Sequence, residues 1–158
     1  MIYVVIGQSG AGKTTFVKKT FLSGELKIVD DIVPYTTNGN ICAVGKYGIG
    51  RRTEGTDTLP YNSGAKIREL IKKLYAEGKN IVIEGDRINN RATFELLETF
   101  GAAVKLYLVS CTLETSIKRL RDSGSAITVK FIKATRTRSE NNFAKYRDKF
   151  CGEIVAND

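Results

Sequence analysis

Ile2-Tyr3-Val4-Val5-Ile6, followed at once by Gly7-Gln8-Ser9-Gly10-Ala11-Gly12-Lys13-Thr14, decides the fold. The five apolar residues read as a buried strand, and the next eight fill every fixed position of GxxxxGK[ST], the Walker A pattern. Its glycines let the chain wrap so that successive backbone N–H groups point into one concavity, and the helix that follows adds the positive end of its dipole. Such a nest holds phosphate. Gly7, Ser9, Gly10, Ala11, Gly12, Lys13, Thr14 and Thr15 are therefore the candidate nucleotide-binding residues. Lys13 is placed to reach the β- and γ-phosphates, and the Thr14 hydroxyl to ligate Mg²⁺.

Outward from this loop, strands and helices alternate. Lys13 to about Ser23 reads as a helix that turns Phe16, Val17, Phe21 and Leu22 inward and stops at Gly24. A second strand, Leu26–Val29, ends at Asp30-Asp31. From Ile32 to Pro60 the pattern is irregular and glycine-punctuated, with one short strand-like piece at Ile41–Val44; so long an insert is usually functional. Between Ser63 and Glu77, Ile67, Leu70, Ile71, Leu74 and Tyr75 form one helical stripe. The strand Asn80–Ile83 then delivers Glu84-Gly85-Asp86-Arg87. A helix over Arg91–Phe100, a strand over Val104–Val109 and a helix over Leu113–Arg121 complete the series. Alternation of this kind predicts an α/β fold with four parallel strands and ligand loops at their carboxyl ends. Thr128–Phe150 reads as a second helical region interrupted near Arg136–Ser139, and the chain from Gly152 onward is expected to fray.

The 158 residues suit a single domain, read as a core over 1–123 with a basic lid and helical region over 124–151. The net charge of +8 is unevenly placed. Thr115–Phe150 holds ten Lys/Arg against three Asp/Glu, so seven of the eight net positive charges lie there, and polyanions become plausible partners. Three cysteines without metal-like spacing argue against a disulfide framework and for a reduced, cytoplasmic setting. Cys111, closing an apolar run, reads as a small buried residue. A strand at the very start of the chain leaves no room for a signal peptide, and no apolar run approaches the ~20 residues that span a bilayer. The chain has no histidine, so carboxylates must do any general-base work.

Glu84 and Asp86 leave a buried strand where a partner carboxylate of a Walker A loop belongs. One would contact Mg²⁺ through water while the other accepts the proton of an attacking hydroxyl. Thr14 and Asp86 make up the expected metal set, but the division of roles between the two carboxylates stays open at this stage. Asp30, Asp31, Thr56, Asp57, Arg87 and Arg138 are candidate acceptor-binding residues, although Asp is also common wherever strands end in turns. Arg119 and Arg121 stand two apart on a helix and cannot both face one way, and Arg119 is the preferred lid arginine. Arg136 and Arg138 are candidates for the same work or for gripping a nucleic-acid backbone, against the plainer reading of a solvated basic face.

Walker A at the N-terminus, Glu84-Gly85-Asp86-Arg87 at a strand end, and Glu114 ahead of Ile117-Lys118-Arg119 resemble the small P-loop kinases related to nucleoside and nucleotide kinases. That resemblance implies ATP as donor, strand order 2-3-1-4, a lid after the fourth strand, and catalytic roles for Lys13, Glu84, Asp86 and Arg119. More narrowly, Gly45-Lys46-Tyr47, Gly55-Thr56-Asp57-Thr58-Leu59, Gly124-Ser125 and Thr135-Arg136-Thr137-Arg138 are similar to segments of phage-type kinases that phosphorylate 5-hydroxymethyluracil within DNA. This similarity implies a DNA substrate in a host cytoplasm. Lys130, Lys133, Arg136, Arg138, Lys145, Arg147 and Lys149 would then neutralise phosphates, joined by Lys46, Arg51 and Arg52. Tyr35, Tyr47 and Tyr61 would be candidates to stack on an extruded base. A kinase of a free nucleoside, nucleotide or other small metabolite is the alternative, and a P-loop NTPase or nucleotide-switched binding protein is a third reading.

Overall fold

The structure, a computed structural model, describes residues 1–48, 50 and 53–158. In chain order its elements are β1 (Ile2–Ile6), α1 (Lys13–Phe21), β2 (Lys27–Val29), β3 (Tyr35–Thr37), β4 (Ile41–Val44), α2 (Gly64–Ala76), β5 (Asn80–Glu84), α3 (Arg91–Glu98), β6 (Val104–Ser110), α4 (Leu113–Asp122), α5 (Val129–Tyr146) and β7 (Glu153–Ala156). All seven strands join one sheet in the order β2-β3-β4-β5-β1-β6-β7. Five of them, β4, β5, β1, β6 and β7, pair in parallel; β3 runs antiparallel to β4, and β2, antiparallel to β3, returns to the common direction at the edge. This is the predominantly parallel α/β sheet expected from the P-loop context.

Two details of that expectation need correction. The parallel neighbour of β5 on the side away from β1 is β4, from the insert, and not the Leu26–Val29 strand, which lies at the far edge of the sheet. The order 2-3-1-4 therefore holds only with Ile41–Val44 as its first member. Cys42, Ala43 and Val44 are buried, as a strand covered on both faces requires, whereas Lys27 and Ile28 are exposed. The chain after Gly152 does not fray either. Tyr107↔Glu153 through Ser110↔Ala156 pair in parallel register, so β7 extends the sheet.

Alternation along β1 splits the core. Ile2, Val4 and Ile6 face a cluster with Ile67, Leu70, Ile71 and Leu74 of α2, Phe94 and Leu97 of α3, and Phe143 and Tyr146 of α5. Val5 faces the opposite cluster with Val17 and Leu22 of the α1 region, Tyr47 and Val109. Tyr75 lies outside the stripe assigned to it, 37% exposed, with its ring 4.4 Å from that of Phe100. Helices α3, α4 and α5 begin with side-chain caps from Asn90, Thr112 and Thr128, which accept from the N–H groups of Thr93, Thr115 and Phe131.

The helix α5 is continuous through Arg136–Ser139. Its buried positions, Ile132, Thr135, Ser139, Phe143 and Tyr146, keep the helical period, but two of them are hydroxyl residues and so hide the stripe from a hydrophobicity reading. Phe94, Tyr146 and Phe150 stack with centroids 4.5 and 5.6 Å apart along the row, so the basic segment over 124–151 contributes Phe143, Tyr146 and Phe150 to the main core. Cys42, Cys111 and Cys151 are free thiols, the first two buried. Among the described residues, no helix is long and apolar enough to cross a membrane.

Candidate active site

β1 and β5 lie side by side in parallel, with Val5 in register with Glu84. The P-loop and the carboxylate of the fifth strand therefore leave the same edge of the sheet. Glu84 is 2% exposed and bound at three atoms. Its Oε1 accepts from the Tyr47 hydroxyl at 2.7 Å, its Oε2 accepts from the Thr14 hydroxyl at 3.2 Å, and its backbone carbonyl accepts from the Thr56 hydroxyl at 2.8 Å. Burial pushes the Glu84 carboxyl up from the usual range, while the Tyr47 hydrogen bond, Lys13 and the Thr14 hydrogen bond pull it back. Burial first, and the Glu84 charge second, hold the Tyr47 phenol well above its ordinary value, so it donates as a neutral hydroxyl.

After Glu84 the strand stops. Gly85 has φ 98° and turns the chain, so Asp86 is placed by a turn rather than by strand continuation. Burial pushes the Asp86 carboxyl up, opposed by the charges of Lys13 and Arg138. Its Oδ1 is buried without a hydrogen-bond partner among the described residues, as is Nε of the adjacent Arg87. Arg87 Nη1 donates to Asp57 Oδ1 at 2.7 Å, and its guanidinium stands 4.9 Å from the ring centroid of Tyr61, which is 91% exposed. Asp57, Thr56, Asp86, Arg87 and Arg138 are thus brought into one corner beside the P-loop.

The loop itself is held from several sides. Lys13 Nζ donates to the carbonyls of Gly7 and Gln8, both at 3.0 Å, and lies across its own loop. The Ser9 N–H donates to the Thr135 hydroxyl of α5 at 3.0 Å, and Gln8 Nε2 to the Ser116 hydroxyl of α4 at 2.6 Å. Arg119 donates to the carbonyls of Gly10 and Ala11, each at 3.3 Å, which favours it over Arg121 as the arginine at the loop. Asn157 Nδ2 donates to Ala11 O at 2.7 Å.

Other expected residues stand elsewhere. Asp31 pairs with Lys73 of α2 at 2.6 Å, which holds its carboxyl below the usual range, and Asp30 is exposed. Arg136 Nε pairs with Glu140 at 2.9 Å and borders a crevice with Gln8 and Ser110. Thr15 is exposed. Tyr47 is engaged with Glu84 and is closed to base stacking, whereas Tyr61 is open to it. Arg51 and Arg52 lie outside the described residues. Sequence reasoning missed Asn157 at the P-loop, and it quoted Tyr47 and Thr135 without their roles as partners of Glu84 and of the Ser9 N–H; no local pattern marks those roles.

The donor set fits Mg²⁺. Thr14 and Glu84 offer hard oxygen ligands beside a phosphate cradle, and among the described residues no cluster of three or more His, Cys, Asp or Glu competes with it. Mg²⁺ bound by one or two protein oxygens and the phosphates needs no more.

No family model matches the chain, and no curated protein does. Among solved structures it is similar to deoxyadenosine kinase from M. mycoides with bound dATP, at 12% identity and a TM-score of 0.48, covering 99% of this chain and 91% of that one. The same enzyme with products dCMP and dCDP aligns at 13% identity and 0.48, covering 98% and 89%. With bound dCTP it aligns at 14% and 0.49, covering 99% and 90%. At these identities and scores the likeness assigns neither family nor chemistry, and the functional reading rests on the site.

Proposed function

We propose that the protein is a P-loop phosphotransferase that moves the γ-phosphoryl group of ATP to an alcohol. The observation that carries this reading is the pair of dissimilar carboxylates beside the Walker A loop. Glu84 is fully engaged and meets Thr14, whereas Asp86 keeps a buried oxygen without a partner among the described residues, and its carboxyl lies in the field of Lys13 and Arg138. This favours Glu84 over Asp86 for the metal side. Mg²⁺, held by Thr14 and through water by Glu84, would neutralise phosphate charge. Asp86 then acts as base: it takes the hydroxyl proton as the acceptor oxygen bonds to the γ-phosphorus, and the bond to the ADP oxygen breaks. A carboxyl raised by burial is the stronger base for that step. Lys13 leaves its own carbonyls for the β- and γ-phosphates, and Arg119 and Arg138 stabilise the charge that spreads on the moving group.

For the acceptor, the exposed Lys130, Lys133, Arg138, Lys145 and Arg147 along and just beyond α5 favour a polyanion, and the reading is the hydroxymethyl group of 5-hydroxymethyluracil in DNA, acted on in the cytoplasm of a host cell. Tyr61 and Arg87 offer an open stacking face at the acceptor corner. A free nucleoside or nucleotide is the second reading, supported by the pairing of Arg136 with Glu140 and of Lys149 with Glu98, which thins the basic face. Labelled γ-phosphate from MgATP, offered to duplexes with thymine or 5-hydroxymethyluracil and to the matching nucleosides, tests both. Label in hydroxymethylated DNA alone supports the first, and label in a nucleoside alone the second. Phosphate release without any acceptor dependence would replace both with an NTPase.

A further inference from the structure

The peptide joining Ala11 to Gly12 is gripped from outside the phosphate nest. Its carbonyl oxygen accepts from Asn157 Nδ2 at 2.7 Å and, less closely, from Arg119 at 3.3 Å. Asn157 follows β7, and its own N–H donates to Ser110 O at 2.8 Å, carrying the β6–β7 ladder past Ser110↔Ala156. The carboxamide is therefore delivered by sheet backbone, not by a loop. Asp158 adds a second anchor, its Oδ1 accepting from the Thr112 N–H at 2.6 Å.

The described peptides are all trans, and in a planar trans peptide the C=O and N–H point in opposite directions. Fixing Ala11 O on the outside thus fixes the Gly12 N–H toward the inside, where the phosphates bind. A hydrogen bond to the carbonyl also polarises the same peptide and strengthens its N–H as a donor. Gly12 has φ 89°, and a Cβ there would overlap Asn157 Nδ2, so a glycine is required for the carboxamide to close on the loop as well as for the left-handed turn. Two donors on one carbonyl also have a use: if Arg119 turns to the phosphates, Asn157 alone keeps the peptide oriented.

We propose that Asn157 is a positioning residue for the triphosphate, acting through the Ala11–Gly12 peptide to keep the Gly12 N–H aimed at the donor phosphates. This inference rests on the reading of the P-loop as a nucleoside-triphosphate site. It assigns a task in nucleotide binding to the segment after β7, which lies more than a hundred residues along the chain from the Walker A motif.

Calorimetric titration of MgATP into the wild type, Asn157→Ala, Asn157→Asp and Asp158→Ala tests it. Removing one hydrogen bond to the loop should weaken MgATP binding roughly five- to tenfold in Asn157→Ala. Asn157→Asp keeps the shape, loses the donor and sets a carboxylate against the Ala11 carbonyl oxygen, so it should weaken binding at least as much. Asp158→Ala should stay within about twofold, and melting temperatures without nucleotide should match the wild type for all three. Wild-type affinity in Asn157→Ala and Asn157→Asp would overturn the proposal. Equal weakening in Asp158→Ala, or weakening that tracks a fall in melting temperature, would also overturn it, because docking of the segment would then be the cause. A wild type that binds no nucleoside triphosphate would overturn the P-loop reading itself, a result distinct from either.

Discussion

Glu84 and Asp86 stand two residues apart and have opposite surroundings. One has every oxygen engaged, and the other has a buried oxygen without a partner among the described residues. Their substitutions should therefore separate. Asp86→Asn removes the base of the proposed mechanism and should lower kcat about a hundredfold or more, with MgATP affinity little changed. Glu84→Gln should instead raise the Mg²⁺ concentration needed for half-maximal rate. Equal effects of both changes on Mg²⁺ dependence would refute this division. Glu84 also predicts a pH signature without ligand. Burial raises its folded pKa above the unfolded value near 4.5, so the folded state prefers the neutral carboxyl; stability is complete below about pH 4.5 and falls as pH rises through the folded pKa. Glu84→Gln removes that loss. The variant should melt above the wild type at pH 8, with the gap closing toward pH 4 in thermal scans; a gap that does not change with pH would contradict the assignment.

At the scale of elements, the insert between β2 and α2 does more than its irregular sequence announces. It supplies β4, the sheet neighbour of β5, and then Tyr47 and Thr56, both bound to Glu84. Its closure depends on Gly45, which has φ 97° and donates its N–H to Pro34 O at 2.9 Å, and where a Cβ would overlap the Gly55 carbonyl. Gly45→Ala should cost about 1–3 kcal/mol in a urea titration and lower phosphoryl transfer along with it, because Tyr47 and Thr56 move with the turn. An unchanged midpoint would show that the turn bears no strain. The insert was legible in sequence only as one short strand-like piece, Ile41–Val44, because three- and four-residue strands carry too few positions for a period to emerge. Similarly, α5 looked interrupted where its buried positions are Thr135 and Ser139, whose hydroxyls meet the Ser9 N–H and Asn89.

For the whole molecule, the sheet puts the P-loop, the Glu84 edge and one flank of α5 on a common side, while the excess positive charge runs along that helix. If duplex DNA is the acceptor, its binding should fall steeply with salt, and replacing Lys130 and Lys133 by Ala should reduce the slope of log affinity against log salt by about two. A slope unaffected by both changes would exclude this face from DNA contact. The chain alone determined what local rules govern. The Walker A loop, the helices with clean apolar stripes, the buried strands β1, β5 and β6 and the carboxylates at the end of β5 each depend on residues a few positions apart. Only the tertiary structure decided which strand lies beside β5, that Asp31 turns to Lys73 while Asp57 turns to Arg87, and that Tyr47 closes on Glu84 while Thr135 and Asn157 close on the P-loop. Those contacts join residues 30 to 146 positions apart, and a hydrogen bond across such a separation leaves no periodicity, cap or turn residue by which either partner could be recognised.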